Sequence, residues 1–130
     1  QLVLPKFNRK GFTFLYDYPA SQCSLAKIAE NEQKILVAKR FELFFGETEL
    51  ANGFHELTDA GEQLSRFKLE NQIRQQQGRR CGDIDERLIS ALEHGLPDCS
   101  GVAMGLDRLL MVLTEAKAIE NVLTFSWQNA

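Results

Sequence analysis

The hydrophobic positions of the chain change rhythm several times, and each change marks an element. Residues 12–18 (FTFLYDY) are aromatic and β-prone and stop at Pro19, which predicts a strand. Residues 21–30 (SQCSLAKIAE) read as a loop and short helix. Residues 39–45 (KRFELFF) and 48–55 (TELANGFH) predict a hairpin turning at Gly46-Glu47. The period then becomes helical. Leu64, Phe67 and Ile73 form an apolar stripe over a predicted helix at 60–77. Asp59 is its N-cap, Glu62 completes a capping box, Leu57 staples its start and Gly78 ends it. A second helix follows, capped by Asp83, with Glu86 at its third position. Ile84, Leu88, Ala91 and Leu92 face inward there, and Gly95 and Pro97 stop it. Residues 99–106 (CSGVAMGL) predict a strand, a third helix starts near Asp107, and 122–126 (VLTFS) read as a last extended piece. A strand and hairpin followed by grouped helices argue for an α+β domain with an antiparallel sheet, not a doubly wound one.

Composition narrows the picture. A chain of 130 residues, 44% hydrophobic and 25% charged, is one globular domain or a piece of one. A net charge of −3 leaves no basic nucleic-acid footprint. Arg74, Arg79 and Arg80 are balanced by Glu70, Asp83, Asp85 and Glu86 and read as a solvated face. No apolar run approaches the roughly 20 residues of a membrane helix, and no signal-peptide pattern is present. Cys23, Cys81 and Cys99 are odd in number and lack metal spacing, which points to reduced thiols and a cytoplasmic setting. The chain begins at Gln1 without a methionine, as an excised fragment would.

The candidate chemistry lies in two places. On the return strand, alternation puts Asn52, Phe54 and Glu56 on one face. An amide, a ring and a carboxylate in a row suit a cationic amino acid, although a hairpin with one wet face would look the same. Glu42 and Glu49 fall on one face as diagonal neighbours, with Phe44 opposite Glu49 and Glu42 opposite Ala51. They could share a Mg²⁺ ion that also binds phosphates, or be two solvated surface glutamates. In a regular strand Glu49 and Asn52 have opposite parity. Both line one site only if a bulge intervenes near Leu50-Ala51 or at Gly53, so the return strand is expected to be irregular between residues 49 and 53.

The second place is GVAMGLDR, residues 101–108. Gly101 and Gly105 in a strand mark close backbone approach, where a flat adenine or a substrate backbone could lie. Arg108 falls in the first turn of the next helix, where guanidinium and helix dipole both favour phosphate. Asp107 would cap that helix or orient Arg108. As a bare pattern this is equally a tight strand–helix crossing with a surface ion pair. His55 and His94 are isolated and read as structural, and no histidine is placed to activate Cys99.

Taken together, RFELFFGETELANGFHEL (40–57) resembles the amino-acid-binding hairpin of class II lysyl-tRNA synthetases. GVAMGLDRLLM (101–111) resembles class II motif 3. The likeness covers about residues 12–126 and is closer still to the paralogous family of elongation factor P–lysine lysyltransferases, in FLYDYPASQCSLAKI (14–28), ELANGFHELTDAGEQ (49–63) and PDCSGVAMGLDRLLM (97–111). The resemblance implies an α+β, class II aminoacyl-tRNA-synthetase-like antiparallel sheet flanked by helices, of which residues 1–130 are the motif 3 half. Motifs 1 and 2 are not visible, so residues 1–130 alone would be catalytically incomplete.

The resemblance also implies ATP-dependent formation of an aminoacyl-adenylate and transfer to a lysine of elongation factor P. Glu56 would hold the side-chain ammonium of lysine or (R)-β-lysine, with Asn52 and Phe54 beside it. Ala103, where lysyl-tRNA synthetases typically have glycine, would reshape the pocket toward (R)-β-lysine. Glu49, Leu50, Gly101, Gly105 and Arg108 would contact ATP, and Glu42 and Glu49 would take Mg²⁺. Glu49 and Arg108 would carry the catalysis by positioning and electrostatics. Ala103 and the acidic charge balance argue against tRNA as acceptor. The full-length protein would be a homodimer. Two other readings stay open, a lysyl-tRNA synthetase proper and a synthetase-like interaction module without chemistry.

Overall fold

The computed structural model describes residues 11–127, and the role of residues 1–10 lies outside it. Five antiparallel strands form one sheet: β1 (Phe12–Pro19), β2 (Ile28–Glu30), β3 (Leu36–Phe45), β4 (Thr48–His55) and β5 (Ser100–Met104). The order is β1-β3-β4-β5, and the short β2 pairs with β3 at Val37 and Ala38. Helices α1 (Ala60–Gln76), α2 (Glu86–His94) and α3 (Leu106–Thr114) complete an α+β domain. The aromatic run, the hairpin with its turn at 46–47 and the glycine-bearing strand all form as their patterns predict.

The departures have local causes. Residues 21–30 hold no α-helix; Ala20–Gln22 make a 3-10 turn, and Ile28–Glu30, too short to show a period, become β2. Asp59 caps α1 as expected, accepting from the Glu62 N–H. The cap of α2 is Asp85 instead of Asp83, and its side chain accepts from the Arg87 and Leu88 N–H groups. Packing selects a different stripe, so Ile89 and Leu92 are buried while Leu88 and Ala91 are exposed. Gly105 stands at the N-cap of α3, and Asp107 lies inside the first turn without capping it. Residues 122–126 find no strand partner and form no strand; a 3-10 turn at Ile119–Asn121 precedes them. On α1, Leu64 and Phe67 are half-buried, but Ile73 is 39% exposed.

The bulge is present. Phe44 pairs with Glu49 and Leu43 with Ala51, so Leu50 is the extra residue of β4. Its side chain is 2% exposed, the largest fully buried one among the described residues. Glu42 therefore stands opposite Asn52, not Ala51. Gly53 is required at its position. A Cβ there would lie 2.4 Å from Cε1 of Phe41 and 3.0 Å from the Gly101 carbonyl oxygen. Gly53→Ala is expected to destabilise the fold by about 1–3 kcal/mol through overpacking. Thermal melting checks this, and an unchanged midpoint would refute the close approach.

Cross-strand pairs share a face, so the register defines two. One face carries polar groups, described below. On the other, Phe12, Phe14, Tyr16, Val102 and Met104 are between 45% and 69% exposed. Among the described residues no helix is long and apolar enough to cross a membrane, and all three cysteines are free.

Candidate active site

The bulge at Leu50 brings the hairpin's charges together. Because one residue is inserted, Glu49 and Asn52 fall on the same face in spite of their spacing. Register then places Arg40 opposite Phe54, Glu42 opposite Asn52, and Phe44 opposite Glu49 on that face. From β5, Ala103 lies opposite Asn52 and Gly101 opposite Phe54. Asn52, Phe54 and Glu56 alternate along β4 and its continuation, as the strand period requires.

The two glycines of β5 and its end each make room for a charged side chain. At Gly101 the space a Cβ would fill holds the Glu56 carboxylate, whose Oε1 would stand 2.3 Å away. At Gly105 the corresponding direction is covered by the stem of Arg108, with Cδ at 3.5 Å and Cβ and Cγ at 3.7 Å. Gly105 is extended (φ −79, ψ 95) and its N–H donates to the Leu50 carbonyl at 2.9 Å, so it continues the ladder. Residues 101, 103 and 105 therefore face the same way. Glu56 and Arg108 therefore reach the same face, over two glycines that are about four residues or 13 Å apart along β5, with Ala103 between those glycines. The glycines open space for these side chains, where the sequence pointed to a flat ligand lying directly on the backbone.

Arg108 is tied to the hairpin, donating from Nη1 to the Glu49 carbonyl oxygen at 3.0 Å. Its residue is otherwise exposed, in the first turn of α3. Leu50 is less available than its neighbour Glu49. Its side chain is buried and its carbonyl accepts from the Gly105 N–H.

Two residues of this face escaped the sequence reading, Tyr18 and Arg40. Arg40 forms an ion pair with Glu42 and lies 4.4 Å from the centroid of the Tyr18 ring. Alternation with Glu42 was the available signal for Arg40; Tyr18 joins only because β1 shifts register between Tyr16 and Tyr18. Burial first, and then the Glu42 carboxylate, hold the Tyr18 phenol well above its ordinary pKa, so it stays a neutral donor. Four buried side-chain polar atoms among the described residues lack a hydrogen-bond partner: Tyr18 Oη, Arg40 Nε, Asn52 Oδ1 and Gln63 Nε2. The first three belong to this one face, a concentration expected where a ligand completes the bonding.

Among the described residues no group of three or more His, Cys, Asp or Glu side chains is placed to hold a metal ion. Glu42 and Glu49 are two carboxylates of this face, and Glu42 is already ion-paired with Arg40. Mg²⁺ typically draws on one or two carboxylates and takes its other ligands from phosphate and water, and two carboxylates of this face are of that chemistry. Each histidine has a local partner. His55 Nε2 bonds Asp98 at 2.8 Å and His94 Nδ1 bonds the Ser90 carbonyl at 2.8 Å. Lys27, and after it His55, hold the Asp98 carboxyl below its usual range.

Comparison with known proteins gives this face a context. Relatives named elongation factor P–(R)-β-lysine ligase are similar to the chain. The Yersinia enterocolitica protein is 50% identical over 123 residues, covering 95% of this chain and 37% of that protein. The Edwardsiella ictaluri protein is 48% identical over 128 residues, covering 98% and 39%. The Pasteurella multocida protein is 46% identical over 129 residues, covering 99% and 39%. The chain thus spans under two-fifths of the length of these curated relatives. Residues 3–129 match the family described as tRNA synthetases class II (D, K and N). With nearly its whole length matched, and with its hairpin and glycine-bearing strand meeting on one polar sheet face, the chain belongs to the class II tRNA synthetase family.

Proposed function

We propose that a protein carrying this chain activates lysine or (R)-β-lysine with ATP and passes the acyl group to a lysine of elongation factor P. The observation that carries this is the seat of the Glu56 carboxylate over Gly101, in a row with Phe54 and Asn52, on the face that also bears Arg108. The relatives' name supports the same substrate and acceptor.

In this reading Glu56 holds the side-chain ammonium, Phe54 covers the methylenes and the free Asn52 Oδ1 accepts from the amino end. Ala103, opposite Asn52, narrows the space beside it. Shape differences of one methyl give roughly 1–3 kcal/mol of discrimination, the basis proposed here for preferring the β-amino acid. The substrate carboxylate attacks the α-phosphorus of ATP, forming a mixed anhydride and expelling pyrophosphate. The ε-amine of the acceptor lysine then attacks the acyl carbon, AMP leaves and the amine proton is lost. Arg108 would steady phosphate charge, with Glu49 beside it. Glu42 and Glu49 would hold Mg²⁺, which supplies charge neutralisation when bound. The contacts to ATP are proposed for Glu49, the Leu50 N–H, Gly101, Gly105 and Arg108.

We assign residues 1–130 to the C-terminal part of a longer catalytic domain. The short span relative to the relatives and the uncovered apolar reverse face of the sheet support this. The test is calorimetry of lysine and (R)-β-lysine into a protein of the relatives' full length containing this segment. It is paired with mass spectrometry of elongation factor P after incubation with ATP. Micromolar binding and a mass gain of one acyl group are expected. Absence of binding by either amino acid refutes the reading, and charged tRNA with unmodified elongation factor P moves the acceptor to tRNA.

A further inference from the structure

We propose that Arg40 is a positioning residue that couples the amino-acid end of this face to its metal and nucleotide end. The inference rests on the reading of the face given above. Arg40 stands on β3 opposite Phe54, and its guanidinium lies 4.4 Å from the Tyr18 ring centroid and 5.6 Å from that of Phe54. One nitrogen, Nη2, pairs with Glu42. Another, Nη1, donates to the Gln22 carbonyl oxygen at 3.2 Å. The side chains of Arg40 and Glu42 are only 13% and 17% exposed. A single planar group therefore touches one residue assigned to the amino acid and one assigned to the metal.

Guanidinium chemistry explains why this position calls for arginine. Its flat face stacks on two rings while its edge makes directed bonds; an ammonium can supply the charge but not the stack. Because the pair is largely out of water, a change at Glu42 is felt at Arg40 with little screening. Glu42, if it also held a divalent ion, would shift against Arg40, and any movement of Arg40 presses on Phe54. Conversely, an amino acid packed on Phe54 fixes Arg40 and hence the orientation of Glu42. The buried Nε of Arg40 has no hydrogen-bond partner among the described residues, so a donor at this spot is left to be satisfied.

Coupling of this kind is reciprocal and measurable as an affinity ratio. The experiment is calorimetry on the full-length protein, with lysine or (R)-β-lysine titrated in the absence and presence of Mn²⁺ and a non-hydrolysable ATP analogue. In the wild type the nucleotide and metal are expected to tighten amino-acid binding about tenfold, within the usual range for coupled sites. In Arg40→Lys both ligands still bind singly, but the ratio falls to within about twofold of unity. Tyr18→Leu, which removes one side of the clamp, reduces the ratio in the same direction and serves if the lysine variant does not fold. A purely structural role for Arg40 would lower the melting temperature and both affinities but leave the ratio unchanged. A wild-type ratio near unity, or an undiminished ratio in both variants, overturns the proposal while the functional reading stands. Absence of any amino-acid or nucleotide binding by the wild type overturns both.

Discussion

Replacing Gly101 with alanine is expected to weaken amino-acid binding by roughly ten- to a hundredfold while leaving the sheet folded. The new Cβ would stand 2.3 Å from Oε1 of Glu56, 3.5 Å from its Cδ and 4.0 Å from its Cγ. The atom it strikes is the far end of a flexible side chain, so the carboxylate swings off the face instead of the strand shifting. Alanine is also less costly than glycine in a strand, which favours an intact fold. What is lost is the charged hydrogen bond of Glu56 to a substrate ammonium, about 1.5–3 kcal/mol. Glu56→Gln should cost a similar amount by removing the charge in place. Because both changes act on one carboxylate, the double variant should be no worse than either alone, the non-additivity expected of shared partners. Calorimetry with lysine and (R)-β-lysine gives the affinities, and circular dichroism checks the fold. Wild-type affinity in Gly101→Ala would mean that the carboxylate over Gly101 is not the seat of the ammonium.

The bulge of the return strand could be reasoned from the chain. Glu49 and Asn52 have opposite parity, so a site using both demands an extra residue between them, and Leu50 is that residue. The hairpin was legible because its two apolar runs flank a short turn. Its effect on register was less so, since the bulge moves Asn52, and not Ala51, opposite Glu42. Local patterns were weakest where two residues offered the same chemistry. Asp83 and Asp85 are equally good caps, and only the three-dimensional path of the chain selects Asp85. The β-prone VLTFS has strand composition but no neighbouring strand to pair with, and pairing is what makes a strand. Tyr18 left no signal and Arg40 only its alternation with Glu42, for a related reason. Their significance lies in which residues stand across from them, and a shift in β1 at Asp17, with φ of 54°, decides that for Tyr18. The uses of Gly101 and Gly105 were half legible. Close approach was expected, but that Glu56 and Arg108 are what approach requires the register of β4 with β5.

Removing the other charge of the face separates its two ends. Arg108→Ala is expected to slow ATP–pyrophosphate exchange about a hundredfold or more in the full-length protein, the scale seen when a preorganised donor to developing charge is deleted. Its stem crosses Gly105 and its Nη1 holds the Glu49 carbonyl, so the guanidinium is fixed before any ligand arrives. Little reorganisation is then left for the reaction itself, which is why the loss should appear in the rate as well as in nucleotide affinity. Arg108→Lys should recover only part of it, since an ammonium cannot both bond the carbonyl and present a fork to phosphate. The residue is exposed and makes one bond to the backbone, so the melting temperature should move little. The amino acid measured alone is the control that gives the experiment its force. The proposed ammonium seat is over Gly101 and the Arg108 stem over Gly105, positions about 13 Å apart along β5, so amino-acid affinity without nucleotide should change much less than exchange does. An equal loss at both ends would mean that Arg108 supports the whole face as a structural brace, and unaltered exchange would remove it from the phosphate site.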